Sequence, residues 1–401
     1  MNDPRRDVAR CIHSELAPSP LPPQSEPLYL TGVWKVDTTS QADAILGGKE
    51  PGFVYRRDGH PNGATLSEAL RVLHGTERAI VTAQGMSALA AIAMNLLEPE
   101  AGVILGQPVY GRTQTLFAKD LAKWKVRAQS IHACDLTQWE NALQQKPRLA
   151  IIETITNPRM RVPDIERIAS LCHAQGTKLL VDNTFATPLL CRPKDWGADY
   201  IMESLSKFVC GHSDAMLGFL GGPELGWKEL EATVSTFGLA SSPLDCWLTR
   251  RGLATLSVRL RQACKNAMQM AEQCVTHPMI AGVDYPGLSQ HPDHAIAQRL
   301  FGDRFGHMLT LHLRPSGKLS GLELVDRLIR ELAPDIPFCP SLGEVQTTLS
   351  HPVSTSHRSY SANQLQELGI SAYTVRISCG IEDSNDVCER ILRGLDALQG
   401  V

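Results

Sequence analysis

Lys207 lies in Ser204-Leu205-Ser206-Lys207-Phe208-Val209-Cys210-Gly211-His212-Ser213-Asp214, directly after an apolar, strand-like run and about 25 residues beyond Val181-Asp182-Asn183-Thr184. A lysine among small hydroxyl residues and glycine at a strand end, with an aspartate closing an earlier strand, is the layout that pyridoxal phosphate chemistry requires. The amine captures the cofactor aldehyde as a Schiff base, and the aspartate keeps the pyridine nitrogen protonated so that the ring can accept electrons. Each residue alone has a bland reading. Most lysines are solvated surface charges, and an aspartate following Leu179-Leu180-Val181 could be a turn or capping residue.

Three further stretches hold residues of the right types. Gln84-Gly85-Met86-Ser87-Ala88 sits between a strand-like run and a run of helix formers. The amides of Gly85 and Met86 at that helix start would cradle a phosphate, although glycine at a strand-to-helix turn is ordinary. Tyr110, in Pro108-Val109-Tyr110-Gly111-Arg112-Thr113, falls just past a strand end; it could stack on a flat heteroaromatic ring or be an amphipathic surface residue. Arg376, in the alternating run Tyr373-Thr374-Val375-Arg376-Ile377-Ser378, needs a partner if buried, and a substrate carboxylate or a structural aspartate would serve.

These residues must be held by regular elements, and the hydrophobic pattern supplies them. Strands are expected over 79–83, 103–107, 125–130, 149–155, 178–184, 200–206 and 216–221, with helix-length segments between several of them. Near-continuous apolar strands separated by helices imply an α/β fold with a mostly parallel sheet covered on both faces. After about residue 250 long amphipathic helices take over, followed by strands over 308–314, 344–349 and 374–379 and a closing helix over 385–398, which reads as a smaller α+β domain. The expected division is 1–62 as an N-terminal arm and interface segment, 63–255 as the large cofactor-binding domain and 256–401 as the C-terminal domain. The arm is marked by Ala17-Pro18-Ser19-Pro20-Leu21-Pro22-Pro23, whose prolines exclude helix interior and central strand.

Composition narrows the function classes. With 39 basic against 42 acidic residues and a net charge of -3, no basic field recommends a nucleic acid or an anionic membrane. Small molecules are the expected partners. The 11 cysteines are scattered without a Cys-x-x-Cys pair, which points to reduced buried thiols and no metal site. No apolar run approaches the roughly 18 to 20 residues that span a bilayer, so a cytoplasmic location is expected.

Taken in order, these motifs resemble the Cys/Met metabolism family of fold type I pyridoxal phosphate enzymes. This trans-sulfuration group includes cystathionine γ-synthase, γ-lyase and β-lyase, methionine γ-lyase and the homoserine sulfhydrylases. The resemblance runs from about residue 28 to the C-terminus. Tyr55-Arg56-Arg57-Asp58-Gly59-His60-Pro61 is similar to the family's Tyr-x-Arg-x-x-Asn-Pro element, implying that Tyr55 and Arg57 reach the neighbouring subunit's cofactor phosphate. Glu153-Thr154-Ile155-Thr156-Asn157-Pro158 resembles Glu-x-Pro-x-Asn-Pro, which implies that Asn157 bonds the ring's 3-oxygen.

By the same resemblance Ser204 and Ser206 supply phosphate hydroxyls, Arg376 and Ser341 take the substrate α-carboxylate, and Tyr110 transfers the leaving-group proton. Lys207 would move protons between substrate carbons during γ-replacement or γ-elimination on homoserine-derived substrates. A homo-oligomer, a dimer of dimers, is implied as well. The chain departs from the pattern at His60, Gln84, Ile155 and Glu203, and Gln346 stands where many cystathionine-handling relatives have glutamate. Rival readings are a non-catalytic cofactor-binding relative and an aminotransferase, the latter disfavoured by Tyr55-x-Arg57.

Overall fold

The computed structural model describes residues 21–399 apart from Pro22, Lys318 and Ser359; most of the expected N-terminal arm lies outside the described residues. Seven strands form the larger sheet: β1 Arg78–Thr82, β2 Gly102–Gln107, β3 Arg127–His132, β4 Leu149–Glu153, β5 Lys178–Asp182, β6 Tyr200–Ser204 and β7 Gly218–Gly222. Their order is β1-β7-β6-β5-β4-β2-β3. Five neighbours, β6 through β3, pair in parallel, and β7 alone runs against both β1 and β6.

The inner parallel strands β2, β4, β5 and β6 are buried on both faces, which is why their sequences are mostly apolar, whereas edge strand β3, Arg-Ala-Gln-Ser-Ile-His, is largely exposed. Ile104, Ala150, Ile152, Leu179, Val181 and Ile201 face one core, with helices Pro61–His74, Ile165–Ala174 and the first part of Pro243–Cys274. Alternate residues Val103, Leu105, Leu149, Ile151, Leu180 and Met202 face the other, under helices Gly85–Leu96 and Trp227–Thr236. Helix Pro61–His74 shows how local chemistry fixes an element. His60 Nδ1 caps the Gly63 amide, Pro61 stands at the first turn, and Gly75 closes the helix in the left-handed region at φ 69°. Its Leu66 and Leu70 are fully buried, a contribution of about 2 kcal/mol each relative to exposure.

The smaller sheet comprises β8 Ile280–Asp284, β9 Met308–Leu313, β10 Thr348–Ser350 and β11 Thr374–Ser378, in the antiparallel order β10-β11-β9-β8. Helices Gly321–Leu332 and Ser384–Asp396 pack on it. Helix Pro243–Cys274 runs from the larger core, through Leu256 and Leu260, into the smaller one, through Met270 and Cys274. The position expected as a boundary, 255/256, falls inside that helix.

Two expectations are corrected. The strand expected over 344–349 is confined to Thr348–Ser350, because Thr347 gives its amide and hydroxyl to the Glu382 carboxylate instead of to a ladder. Strand β8 was not anticipated. Its Ile-Ala-Gly-Val-Asp sequence has glycine in the middle, lies at a sheet edge and is only partly buried, so it shows neither alternation nor an apolar run. The described cysteines are all free, and all but Cys134 and Cys339 are buried. No described helix is long and apolar enough to cross a membrane.

Candidate functional site

A cleft of about 210 Å³ opens at the carboxyl ends of the larger sheet's strands, where open α/β sheets bind ligands. Strand β1 leads into Gln84 and helix Gly85–Leu96, β2 into Tyr110, β4 ends at Glu153, β5 at Asp182 and β6 at Ser204. From the opposite side come Ser341 and Arg376, the latter on β11 of the smaller sheet. The cleft therefore brings together Lys207, Asp182, Gly85, Met86, Tyr110, Asn157, Ser204, Ser206, Ser341 and Arg376. Tyr55 and Arg57 are not among its lining residues. Tyr55 bridges Val33 at the surface, with the Arg57 guanidinium 5.0 Å from its ring centroid.

Lys207 Nζ donates to Ser341 Oγ at 2.9 Å. Burial, reinforced by the nearby Arg376 cation, lowers its pKa, which increases the neutral, nucleophilic fraction. Asp182 accepts from the Thr184 amide at 3.0 Å and from the Thr184 hydroxyl through one oxygen, Oδ1. Burial raises its pKa to about 6. The Thr184 hydroxyl also accepts the Ser204 amide at 2.9 Å, so β5, β6 and the Asp182 carboxylate are locked together.

Arg376 is wholly buried on the β11 ladder. Its Nη1 donates to Asn157 Oδ1 at 2.7 Å and its Nη2 to the Ser341 carbonyl at 3.4 Å, while Nε has no partner. Burial pulls its pKa down to about 10. Among the described residues no aspartate pairs with it, so there the structural alternative raised by its sequence context is not the arrangement found. Asn157 is held from behind by His357, whose Nε2 donates to the Asn157 carbonyl at 3.0 Å. Ser206 exchanges hydrogen bonds with Leu217, accepting its amide at 3.0 Å.

Glu153 is a site residue that sequence reasoning missed. Its carboxylate accepts the Tyr110 amide at 2.6 Å and the Asn157 amide at 3.1 Å, placing both loops. Burial and the neighbouring Asp182 push its pKa well up. Its sequence signals were its position at the end of an apolar strand and its place at the head of the Glu153 to Pro158 element, of which only Asn157 was given a role. Phe185 was missed too; its ring lies 5.9 Å from the Arg376 guanidinium.

The departures from the family pattern take distinct places. Gln84 and Ile155 line the cleft, but Glu203 does not. Burial raises the pKa of Glu203 and lowers that of His74, which disfavours a charged pair, and the Glu203 carboxyl and His74 Nε2 share a hydrogen bond at 3.0 Å. His60 is likewise buried away from the cleft, against Ser241. Gln346 is exposed and donates to the Asp335 carbonyl.

Beyond Tyr110, Pro340 and Ser356, which line the cleft, the recess widens into a vestibule also lined by Arg112, Thr115, Ser354, Thr355 and Arg358. Among the described residues, the vestibule lining contains two arginines and no carboxylate. Among the described residues, no cluster of His, Cys, Asp and Glu could hold a metal ion.

The sequence model of the family described as Cys/Met metabolism PLP-dependent enzyme matches residues 10–396. The chain is 32% identical to an O-succinylhomoserine sulfhydrylase of Pseudomonas aeruginosa, over 93% of this chain and 91% of the relative. It is 35% identical to a cystathionine γ-lyase of Dictyostelium discoideum, over 86% and 87%. The crystal structure of cystathionine γ-synthase from Xanthomonas oryzae pv. oryzae, in complex with aminoacrylate and cysteine, superposes with a TM-score of 0.87 at 31% identity, covering 94% of this chain and 93% of the other.

The residues of the cleft fit the cofactor that the family uses. Helix Gly85–Leu96 starts without a side-chain cap, leaving amides for a phosphate. A Cβ on Gly85 would come within 3.1 Å of Ser204 Cβ, so the turn lies close to the Ser204 strand end. The raised Asp182 carboxyl suits a ring nitrogen that brings a positive charge.

Proposed function

The chain belongs to the Cys/Met metabolism family of pyridoxal phosphate enzymes, the trans-sulfuration group, and from that premise we propose that it catalyses γ-replacement on homoserine-derived amino acids, with γ-elimination as the alternative outcome. Pyridoxal phosphate supplies an aldehyde that captures the substrate amine and a ring that stabilises negative charge on the substrate's α-carbon. Gly85, Met86, Ser204 and Ser206 would hold the phosphate, Asp182 the ring nitrogen and Asn157 the 3-oxygen. Tyr55 and Arg57 would complete the phosphate site of a second copy, making the active unit a dimer and, with a second dimer, a tetramer.

Arg376 would bind the substrate α-carboxylate through its unpartnered Nε edge, with Ser341 beside it. Lys207, its pKa lowered by burial and by Arg376, would remove the proton from Cα and return protons to neighbouring carbons as the γ-substituent leaves. Tyr110, at the junction of cleft and vestibule, would transfer the proton that the leaving group needs. We assign residues 63–255 to the cofactor-binding domain and 256–401 to the C-terminal domain, and the location to the cytoplasm.

The observation that carries the choice of substrate is the vestibule. A homoserine ester whose acyl group ends in a carboxylate would meet Arg112 and Arg358, whereas the distal ammonium of cystathionine meets no carboxylate there. The test is to incubate the cofactor-loaded protein with O-succinyl-L-homoserine plus a thiol, and separately with L-cystathionine, and to identify products by mass spectrometry. A thioether from the ester supports γ-replacement. From cystathionine, 2-oxobutyrate with cysteine would assign γ-elimination and pyruvate with homocysteine β-elimination. Silence with both would leave the non-catalytic relative as the better reading.

A further inference from the structure

The loop that carries Lys207 leaves its own backbone partly unsatisfied. Ser204, Leu205 and Lys207 give their carbonyls to the amides of Lys207, Cys210 and Gly211, closing the turn. The carbonyls of Phe208 and Val209, the next two residues, receive no backbone donor, although both residues are buried. Orphaned acceptors in such a place cost about 1 to 3 kcal/mol each.

Arg259 satisfies both. From helix Pro243–Cys274, its Nη1 donates to the Phe208 carbonyl at 2.6 Å and its Nη2 to the Val209 carbonyl at 2.9 Å and the Gly252 carbonyl at 2.7 Å; Nε donates to Thr255 Oγ1 at 3.0 Å. The guanidinium is buried, has no aspartate or glutamate against it among the described residues, and is balanced by carbonyl dipoles. Its carbon lies 5.3 Å from the centroid of the Phe208 ring, which also stacks with His307 at 4.1 Å.

The backbone around this contact is tightly fitted. A Cβ on Gly252 would lie 2.2 Å from the Cys210 carbonyl oxygen, and one on Gly211, itself at φ 76°, would lie 2.4 Å from Arg259 Nη1. Opposite, a Cβ on Gly343 would meet the Phe208 nitrogen at 2.5 Å and the Lys207 carbonyl carbon at 2.9 Å, so the Ser341 loop presses on the same peptide.

A buried cation without a carboxylate is expensive, and an apolar side chain with a differently folded loop would avoid the expense. We propose that Arg259 is a positioning residue for Lys207: by clamping the carbonyls of Phe208 and Val209 it fixes the Lys207 backbone and hence the reach of Nζ. The planar fork is needed because it serves three carbonyls at once, which a lysine ammonium on a flexible stem does not reproduce. The inference rests on Lys207 being the residue that holds the cofactor.

The test uses the cofactor-loaded full chain and the variants Arg259→Met and Arg259→Lys. Borohydride reduction followed by peptide mapping first asks where the cofactor is attached. Label on any residue other than Lys207 overturns the Lys207 assignment and this inference with it. With label on Lys207, Arg259→Met is expected to lower kcat by about 100-fold with KM changed by less than about threefold, the signature of a misplaced group. The pH midpoint of the cofactor absorbance should move by about one unit, because the environment of Nζ changes. Arg259→Lys should restore part of both. If Arg259→Met does not fold, Arg259→Lys and Gly211→Ala, which drives a methyl group against the guanidinium, must show the same shifts in smaller degree. Folded variants with the wild-type absorbance midpoint and kcat would overturn the proposal and leave Arg259 a folding contact.

Discussion

At Asp182 a carboxyl group is buried beside a second one, Glu153, and its hydrogen-bond donors both come from Thr184. Without a cation its folded pKa of about 6 lies above the unfolded value of about 4, so the protonated form is favoured by folding. Stability from this group is complete below pH 4 and lost as pH rises through 6. Asp182→Asn is therefore expected to raise the unfolding midpoint of the cofactor-free protein at pH 7 but not at pH 4, and to lower turnover of the loaded enzyme by more than about 100-fold. Calorimetry at the two pH values checks the first part; an unchanged midpoint at pH 7 would mean the carboxylate is already balanced. Arg376→Lys should raise KM by about tenfold or more while cofactor content stays constant, since the ammonium cannot hold Asn157, the Ser341 carbonyl and a substrate carboxylate together. A kcat loss without a KM change would assign Arg376 elsewhere. Lys207, Asp182 and Arg376 were legible in the sequence because chemically active side chains stood at the ends of apolar strands or inside one. The role of Glu153 was not, because the hydrogen bond by which it places Tyr110 reaches 43 residues along the chain.

The elements set these residues by close approach of backbones as much as by side chains. On β7, a Cβ at Gly218 would stand 2.3 Å from the Gln84 carbonyl oxygen and 2.7 Å from Thr82 Oγ1. Glycine there lets the antiparallel strand seat the turn that starts helix Gly85–Leu96. Gly218→Ala should push that turn outward and weaken cofactor affinity about tenfold, with a smaller fall in thermal stability. Equilibrium dialysis of the loaded protein would show it, and an unaltered affinity would mean that the turn moves freely without losing the phosphate. The same strand illustrates what the sequence could convey. Apolar runs marked the inner strands of the larger sheet, because burial on both faces demands them, whereas edge strand β3 is mostly polar and exposed; the ends of all seven fell within a residue or two. The antiparallel direction of β7 was not readable, since Gly-Phe-Leu-Gly-Gly carries no directional signal. Edge strand β8 lacked the pattern altogether, and β10 was shortened by the side-chain carboxylate of Glu382, a partner no local window contains.

At the scale of the whole molecule, residues 28–57 form a segment with no buried residue. Helix Thr39–Leu46 buries no residue, and Leu30, Val33 and Leu46 are 62%, 58% and 60% exposed. Tyr55 and Arg57 sit on this segment, away from the cleft of their own chain. A family element that points outward, on a strip of exposed apolar side chains, makes sense if the strip is covered by a second copy whose cofactor phosphate takes Tyr55 and Arg57. This arrangement has an arithmetic consequence. A Lys207→Ala chain still offers Arg57, and an Arg57→Ala chain still offers Lys207. Paired as a heterodimer, they build one site with both wild-type residues and one with neither. If subunits assort at random from equal amounts, half the dimers are mixed and half of their sites are intact, so co-expression should restore about a quarter of wild-type activity from two nearly inactive parents. If Arg57 served its own chain's cleft, each chain would lack one residue in every site and the mixture would be no more active than its parents. Measuring specific activity of the co-expressed pair against each variant alone separates the two outcomes without any need to resolve the interface.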